Sequence, residues 1–327
     1  MREIKGEVHL SKAILAVYAL IKEWQLEELK QVAVNYEIKL QEDISSEDLA
    51  RIEIVYGWNA FLSENKDKLR SLKWIQKDTA GLDSIPASIR NNDQILISNM
   101  SGIHAVPITE NVFGYIMSWA RGIIPAITNQ AHNQWDSSIS TKMFSLKDKS
   151  IIVYGAGNIG IEIARTAKLF GMKTYGVNSN GRPVEYFDQC FTMDTIIEVL
   201  PQSTVVVNAL PLTVISKHYF NETFFNNMNH KSLFINIGRG ESVVDHDLQQ
   251  ALEEEVIQAA YIDVTSPEPL PEDSPLWQTK NLTITPHVSG IVEHFRDEIY
   301  PIFKDNLDQY LIDQTLVKNV YSRSKGY

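Results

Sequence analysis

The sequence predicts an α/β chain of two domains, each a doubly wound parallel sheet flanked by helices. Short Val- and Ile-rich runs alternate with amphipathic segments along most of its length, the pattern of strands joined by crossover helices. The alternation is interrupted once, by the turn-rich NMSGIHAVP at Asn99–Pro107, and then restarts with the glycine-rich turn VYGAGNIG at Val153–Gly160. With 327 residues, 44% of them hydrophobic and 22% charged, the chain can fill two globular cores.

In the first domain, Ile14–Ala19 reads as a buried strand, and apolar residues at helical spacing over Trp24–Asn35 predict a helix. Ile52–Tyr56 and Ile95–Ser98 read as further strands, and Ser45 with Asp48 offers a capping pair ahead of a helical turn. After the interruption a long apolar helix is expected over roughly Thr109–Ile124, with Thr109 as its N-cap. Six strands follow: Ile151–Gly155, Lys173–Val177, Thr204–Leu210, Ser232–Gly238, Ala259–Val264 and Leu282–Pro286. Continuous runs such as TVVVN suit strands buried on both faces. A last helix, Glu293–Leu311, outlasts this sheet and is expected to return to the first domain. The expected organisation is residues 1–102 plus 291–327 in one domain and 103–290 in the other, with a cleft between them.

A formal net charge of -11 speaks against a nucleic-acid partner, which needs a basic face to neutralise phosphates. It does not bar a small anionic substrate, because one local arginine outweighs a diffuse acidic background. Cys190 is the single cysteine, so an intrachain disulfide and a cysteine-built metal site are excluded, and QCFTM reads as a buried strand position. No metal is expected. The N-terminus starts charged but lacks the apolar core and small-residue cleavage site of a signal peptide, and ILAVYALI is too short to span a membrane. A cytoplasmic protein is expected.

Gly155-Ala156-Gly157-Asn158-Ile159-Gly160 follows an apolar strand and opens an amphipathic helix ending at Gly171. In that setting the first glycine permits a tight turn, the second lets backbone approach a pyrophosphate, and the third lets helix pack on strand. The helix N-terminus adds unpaired amides and a positive dipole end. Together with Asn158 and Ile159 these glycines form a candidate dinucleotide site. An acid that reads the ribose is expected about 20 residues on. Here the second strand runs into VNSNGRP, with Asn178, Ser179, Asn180 and Arg182 and no acid before Glu185. A carboxylate would repel a 2′-phosphate and an arginine attracts one, so NADP(H) is favoured over NAD(H).

Three residues then carry chemistry. Arg239 lies between Gly238 and Gly240 after the strand SLFINI, where glycines let the chain turn and present a guanidinium at a carboxyl strand end. Guanidinium grips a carboxylate with two hydrogen bonds, so it would orient a 2-keto acid and polarise the ketone. His287 follows Pro286 at another carboxyl strand end and would donate a proton to the ketone oxygen. Glu268, in SPEPLPEDSP, would hold the imidazole tautomer and favour its protonated form.

NIGRG, DVTSPEPLPEDSPLW and TPHVSG, in that order, resemble the signature segments of the D-isomer-specific 2-hydroxyacid dehydrogenases, which include glyoxylate/hydroxypyruvate reductases. The resemblance covers nearly the whole length. It implies two Rossmann-like or flavodoxin-like domains and NAD(P)H-dependent reduction of a small 2-keto acid to the D-2-hydroxy acid. It makes Arg239 the substrate-binding arginine, Glu268 the acid paired with the histidine, and His287 the proton donor. Asp263, ending AAYID, would bind the nicotinamide carboxamide. DTAGLD resembles the family's substrate loop, so amides near Thr79, Ala80 and Gly81 would hold the substrate carboxylate. ALPLT, with Leu210 and Pro211, resembles the loop lining the cofactor riboses, and Thr109 would lie near the pyrophosphate or nicotinamide. His104 sits in the hinge and is not the proton donor. Relatives are usually homodimers joined through their cofactor domains, and the same is expected here.

Two other readings share this scaffold. One is a catalytically weak, dinucleotide-sensing interaction protein like the C-terminal-binding-protein corepressors, against which the intact triad speaks. The other is a formate or phosphite dehydrogenase; a formate enzyme typically carries glutamine where Glu268 stands. A phosphoglycerate enzyme would want more cations than Lys73 and Lys77. Tyr56, Trp58 and Trp74 would serve the pocket or the core equally well. Trp277 would pack across a dimer or cap the site, and Met117 and Trp119 would bury against a partner or the sheet.

Overall fold

The computed structural model describes residues 12–323; the N-terminal segment weighed above as a leader lies largely outside them. The chain divides into two compact units, one reaching to Ile103 and resuming at Glu293, the other His104–Val292.

The first unit contains β1 (Ala13–Val17), α1 (Glu23–Val32), β2 (Tyr36–Leu40), β3 (Ile52–Tyr56), α2 (Ala60–Glu64), β4 (Trp74–Gln76), α3 (Ala87–Arg90) and β5 (Leu96–Ser98). Its five strands pair in parallel in the order β2-β1-β3-β4-β5. The C-terminal helix, Phe295–Asp313, covers one face with Ile299, Tyr300, Phe303, Leu307 and Tyr310. Phe303 stacks on Tyr56 at 4.0 Å, and Trp74 is fully buried beside it, so these aromatics belong to the core. β2 and β4 have no counterpart in the strands read from the sequence. Ser45 and Asp48 do meet, but the Asp48 carboxylate accepts from the Ser45 amide and hydroxyl at the head of a 3₁₀ turn.

The second unit opens with α4 (Ala105–Ala120) and α5 (Ile123–Ala131). Thr109 is therefore not an N-cap: the helix begins one turn earlier, behind His104, and Thr109 is buried within it. Gly122, at φ +64°, breaks the long helix expected to reach Ile124. Then come β6 (Ser150–Tyr154), α6 (Asn158–Leu169), β7 (Lys173–Val177), β8 (Gln189–Phe191), β9 (Val205–Asn208), α7 (Glu222–Asn226), β10 (Leu233–Asn236), α8 (Asp245–Glu253), β11 (Ala259–Ile262) and β12 (Leu282–Ile284); the C-terminal helix of the first unit is α9. All seven strands are parallel, in the order β12-β11-β10-β9-β6-β7-β8. Because successive side chains alternate, Val206 enters one core layer while Val205 and Val207 enter the other, all fully buried. Burying each contributes roughly 1.5–3 kcal/mol. Cys190 lies on β8, but half-buried rather than interior. Among the described residues no helix is long and apolar enough to cross a membrane, and no cluster of three metal-ligating side chains occurs.

Strand order reverses between β6 and β9, and open parallel sheets bind ligands at the carboxyl ends of strands beside such a reversal.

Candidate active site

The glycine turn lies at this reversal. Gly155 has φ +104°, and a Cβ there would stand 2.8 Å from the Ala209 carbonyl oxygen beyond β9. At Gly160 a Cβ would meet the Gly155 carbonyl at 2.0 Å, so only glycine lets α6 approach β6 this closely. Gly157 differs: nothing lies within 4 Å of its would-be Cβ. Asn158 and Ile159 form the first turn of α6, whose leading amides have no helical acceptor. This open cradle fits the pyrophosphate of a dinucleotide.

After β7 the chain makes a polar loop. The Asn178 amide nitrogen donates to the Arg182 carbonyl at 2.8 Å, and its side-chain oxygen accepts from Asn180 N–H at 3.2 Å. Ser179 and the Arg182 side chain are exposed. Following β9, Leu210 N–H donates to Asn208 Oδ1 at 3.0 Å, and the Pro211 carbonyl accepts from the Ser216 hydroxyl at 2.7 Å.

Arg239 is held by a buried polar knot that the sequence reading missed. Asn208 and Asn236 end adjacent strands in direct register, and Asn208 Nδ2 donates to both Asn236 Oδ1 and Ser242 Oγ at 2.8 Å. Ser242 Oγ and Asn236 Nδ2 in turn donate to the Arg239 carbonyl, at 2.5 and 3.2 Å. The available signal was an asparagine closing each of two apolar runs, VVVN and LFIN. Gly240 brings this loop onto the next, since its would-be Cβ would lie 2.1 Å from the Thr265 carbonyl oxygen. Thr265 N–H donates to Glu268 Oε1 at 3.1 Å, and Glu268 Oε2 faces His287 Nδ1 at 2.8 Å. That partner assigns the ring proton to Nδ1 and turns Nε2 away from the carboxylate.

His287 adopts φ +54°, a left-handed conformation costing a non-glycine residue roughly 1–2 kcal/mol. Its N–H donates to the Asp263 carbonyl at 2.8 Å, which helps offset that cost. The Asp263 carboxylate is buried and accepts from Val288 N–H and Ser289 N–H, both at 3.0 Å, and from the Thr285 and Ser289 hydroxyls, both at 2.5 Å. Burial, with a contribution from Asp263, pushes the neighbouring Tyr261 phenol far above the usual tyrosine range, so it remains protonated.

Elsewhere in this unit the Thr109 hydroxyl is buried without a hydrogen-bond partner. His104 Nδ1 donates to the Gly290 carbonyl at 2.8 Å. In the first unit, the loop after β4 has its carbonyls tied down: Thr79 accepts from Met100 N–H at 3.2 Å and Ala80 from Asn99 Nδ2 at 2.9 Å. Among the described residues the amides of Thr79, Ala80 and Gly81 donate to no acceptor.

Residues 113–289 match the family model described as "D-isomer specific 2-hydroxyacid dehydrogenase, NAD binding domain". The human glyoxylate reductase/hydroxypyruvate reductase is 29% identical over 276 residues, 81% of this chain and 84% of that protein. A D-isomer specific 2-hydroxyacid dehydrogenase family protein from Aeromonas salmonicida superposes with a TM-score of 0.82 at 29% identity, covering 95% of this chain and 99% of the other. The NADPH-dependent glyoxylate/hydroxypyruvate reductase of Sinorhizobium meliloti, solved with NADP and sulfate, shares the fold at a TM-score of 0.81 and 21% identity, covering 97% and 100%. The chain belongs to the D-isomer specific 2-hydroxyacid dehydrogenases, oxidoreductases that use NAD(P).

Proposed function

We propose that this protein reduces a small 2-keto acid to the D-2-hydroxy acid, with His287 as proton donor and glyoxylate or hydroxypyruvate as the first substrates to try. The observation that carries this reading is the Glu268–His287 contact at 2.8 Å on the loops that also seat Arg239. When bound, the reduced nicotinamide supplies the hydride. Arg239 binds the substrate carboxylate and polarises its ketone. The likeness of DTAGLD to the family's substrate loop supports a carboxylate-binding role for the amides of Thr79, Ala80 and Gly81. In its imidazolium form His287 delivers the Nε2 proton to the ketone oxygen and keeps the Nδ1 proton on Glu268; the neutral Nδ1–H ring left behind takes its next proton from solvent.

In this reading the Gly155–Gly160 turn, with Asn158 and Ile159, holds the pyrophosphate, and Leu210 and Pro211 line the riboses. Thr109, with its unpartnered hydroxyl, and Asp263 meet the nicotinamide end. Asn178, Ser179, Asn180 and Arg182 favour a 2′-phosphate, hence NADP(H) over NAD(H). The active form is a homodimer joined through its cofactor domains, a reading supported by the exposed apolar side chains of α5 and the segment after it, where Ile127 is 61% and Trp135 99% exposed. Steady-state rates with NADPH and NADH across glyoxylate, hydroxypyruvate, pyruvate and branched 2-keto acids test the activity. Cofactor binding without turnover on any of them would instead indicate a sensor.

A further inference from the structure

We propose that Asn111, Tyr261, Thr285 and Asp263 form a one-way chain of hydrogen bonds that holds the His287 loop, making Tyr261 a positioning residue for proton transfer. The proposal rests on the reading of His287 as proton donor. Its direction follows from counting protons, because each hydroxyl has one to give.

Asp263 receives two backbone N–H groups and the Ser289 hydroxyl, so it acts as an acceptor. Thr285 Oγ1, 2.5 Å from Asp263 Oδ1, therefore spends its proton there. The Tyr261 hydroxyl lies 2.6 Å from Thr285 Oγ1, and only the tyrosine has a proton left to fill that contact. The atom that faces the tyrosine from α4 is Asn111 Oδ1, 2.7 Å away and placed as an acceptor; with the tyrosine proton spent on Thr285, that contact is filled only when the Asn111 amide is turned over and donates. Asn111 thus turns its NH₂ to the tyrosine, a half-turn that leaves the shape of the side chain unchanged.

The resulting chain runs Asn111 to Tyr261 to Thr285 to Asp263, and each bond polarises the next toward the terminal carboxylate. Tyr261 is 1% exposed, and its ring stacks on Tyr115 of the same helix at 3.5 Å. One hydroxyl thereby joins α4, β11 and the loop that carries His287. That loop needs such anchoring, because His287 sits in a left-handed conformation while its imidazole meets Glu268.

The test uses the full-length protein. Tyr261→Phe and Thr285→Val each keep the packing and remove one link; Thr285→Ser restores the hydroxyl; Asn111→Asp presents only acceptors. Two readouts are taken: kcat with KM for NADPH, and the imidazole ¹⁵N spectrum of unliganded protein, with the His287 signals assigned by their loss in His287→Ala. Expected are a fall in kcat of about tenfold in Tyr261→Phe, Thr285→Val and Asn111→Asp. KM for NADPH should stay within about twofold, and Thr285→Ser should recover wild-type turnover. His287 should pass from a single Nδ1–H tautomer to a mixture in the three broken variants. Wild-type kcat and a single tautomer in Tyr261→Phe and Thr285→Val would overturn the proposal. A wild-type Asn111→Asp would overturn its direction. A tautomer shift in Tyr261→Phe alongside undiminished turnover in His287→Ala would uphold the chain and sink only the proton-donor reading.

Discussion

His287 Nδ1 and Glu268 Oε2 stand 2.8 Å apart with side chains 51% and 40% exposed. An ion pair this open adds at most about 1 kcal/mol to stability, so its expected value is chemical. Glu268→Gln should leave the melting temperature nearly unchanged and lower kcat by about tenfold or more. Melting curves and steady-state rates on the same preparation check this; a large drop in Tm with intact kcat would assign the pair to the fold instead.

The glycine turn separates two kinds of damage. At Gly157 a methyl group meets open space, so Gly157→Ala should melt like wild type yet weaken NADPH binding by at least about tenfold, by crowding the phosphate. At Gly160 the same methyl would stand 2.0 Å from a backbone carbonyl, so Gly160→Ala should lower Tm as well. Fluorescence titration and calorimetry distinguish the two, and equal Tm losses would refute the distinction.

Arg182 is exposed on the loop after β7, beside Asn178 and with no carboxylate before Glu185. Arg182→Ala should cut kcat/KM for NADPH about tenfold, the scale of one charge-assisted hydrogen bond, and leave NADH nearly untouched. Equal effects on both cofactors would remove Arg182 from 2′-phosphate recognition.

Asp48 links stability to acid. Its hydrogen bond to Lys39, with those from Ser45, lowers its pKa from 3.8 to about 2. A depressed carboxylate stabilises the fold above its unfolded value and loses that contribution as pH falls through the folded one. Asp48→Asn should therefore melt below wild type at pH 6, with the gap narrowing from about pH 4 toward pH 2. A gap independent of pH would contradict the assignment.

What the sequence made legible was local. The turn at Gly155–Gly160 and the segments around Arg239, Glu268 and His287 stand out within a few residues each, and the structure brings Glu268 and His287 into contact. The strands β2 and β4 escaped for physical reasons. YEIKL lies at a sheet edge, half-buried along its length, and WIQ is too short to show a period. Thr109 looked like a cap because threonine suits that role, whereas the chain starts α4 earlier with no side-chain cap at all. The Asn208–Asn236–Ser242 knot depends on β9 lying beside β10 in register, a relation that neither segment contains. The same holds for Tyr261, whose hydroxyl meets Asn111, distant in sequence, only once the unit is folded.

The central claim is that His287 delivers the proton in a 2-keto acid reduction. The most direct measurement is NADPH oxidation with glyoxylate or hydroxypyruvate by wild type and His287→Ala at saturating cofactor. The account predicts turnover in the wild type, a loss of at least roughly 100-fold in the variant and an NADPH affinity that barely changes. Near-wild-type turnover in His287→Ala would contradict it.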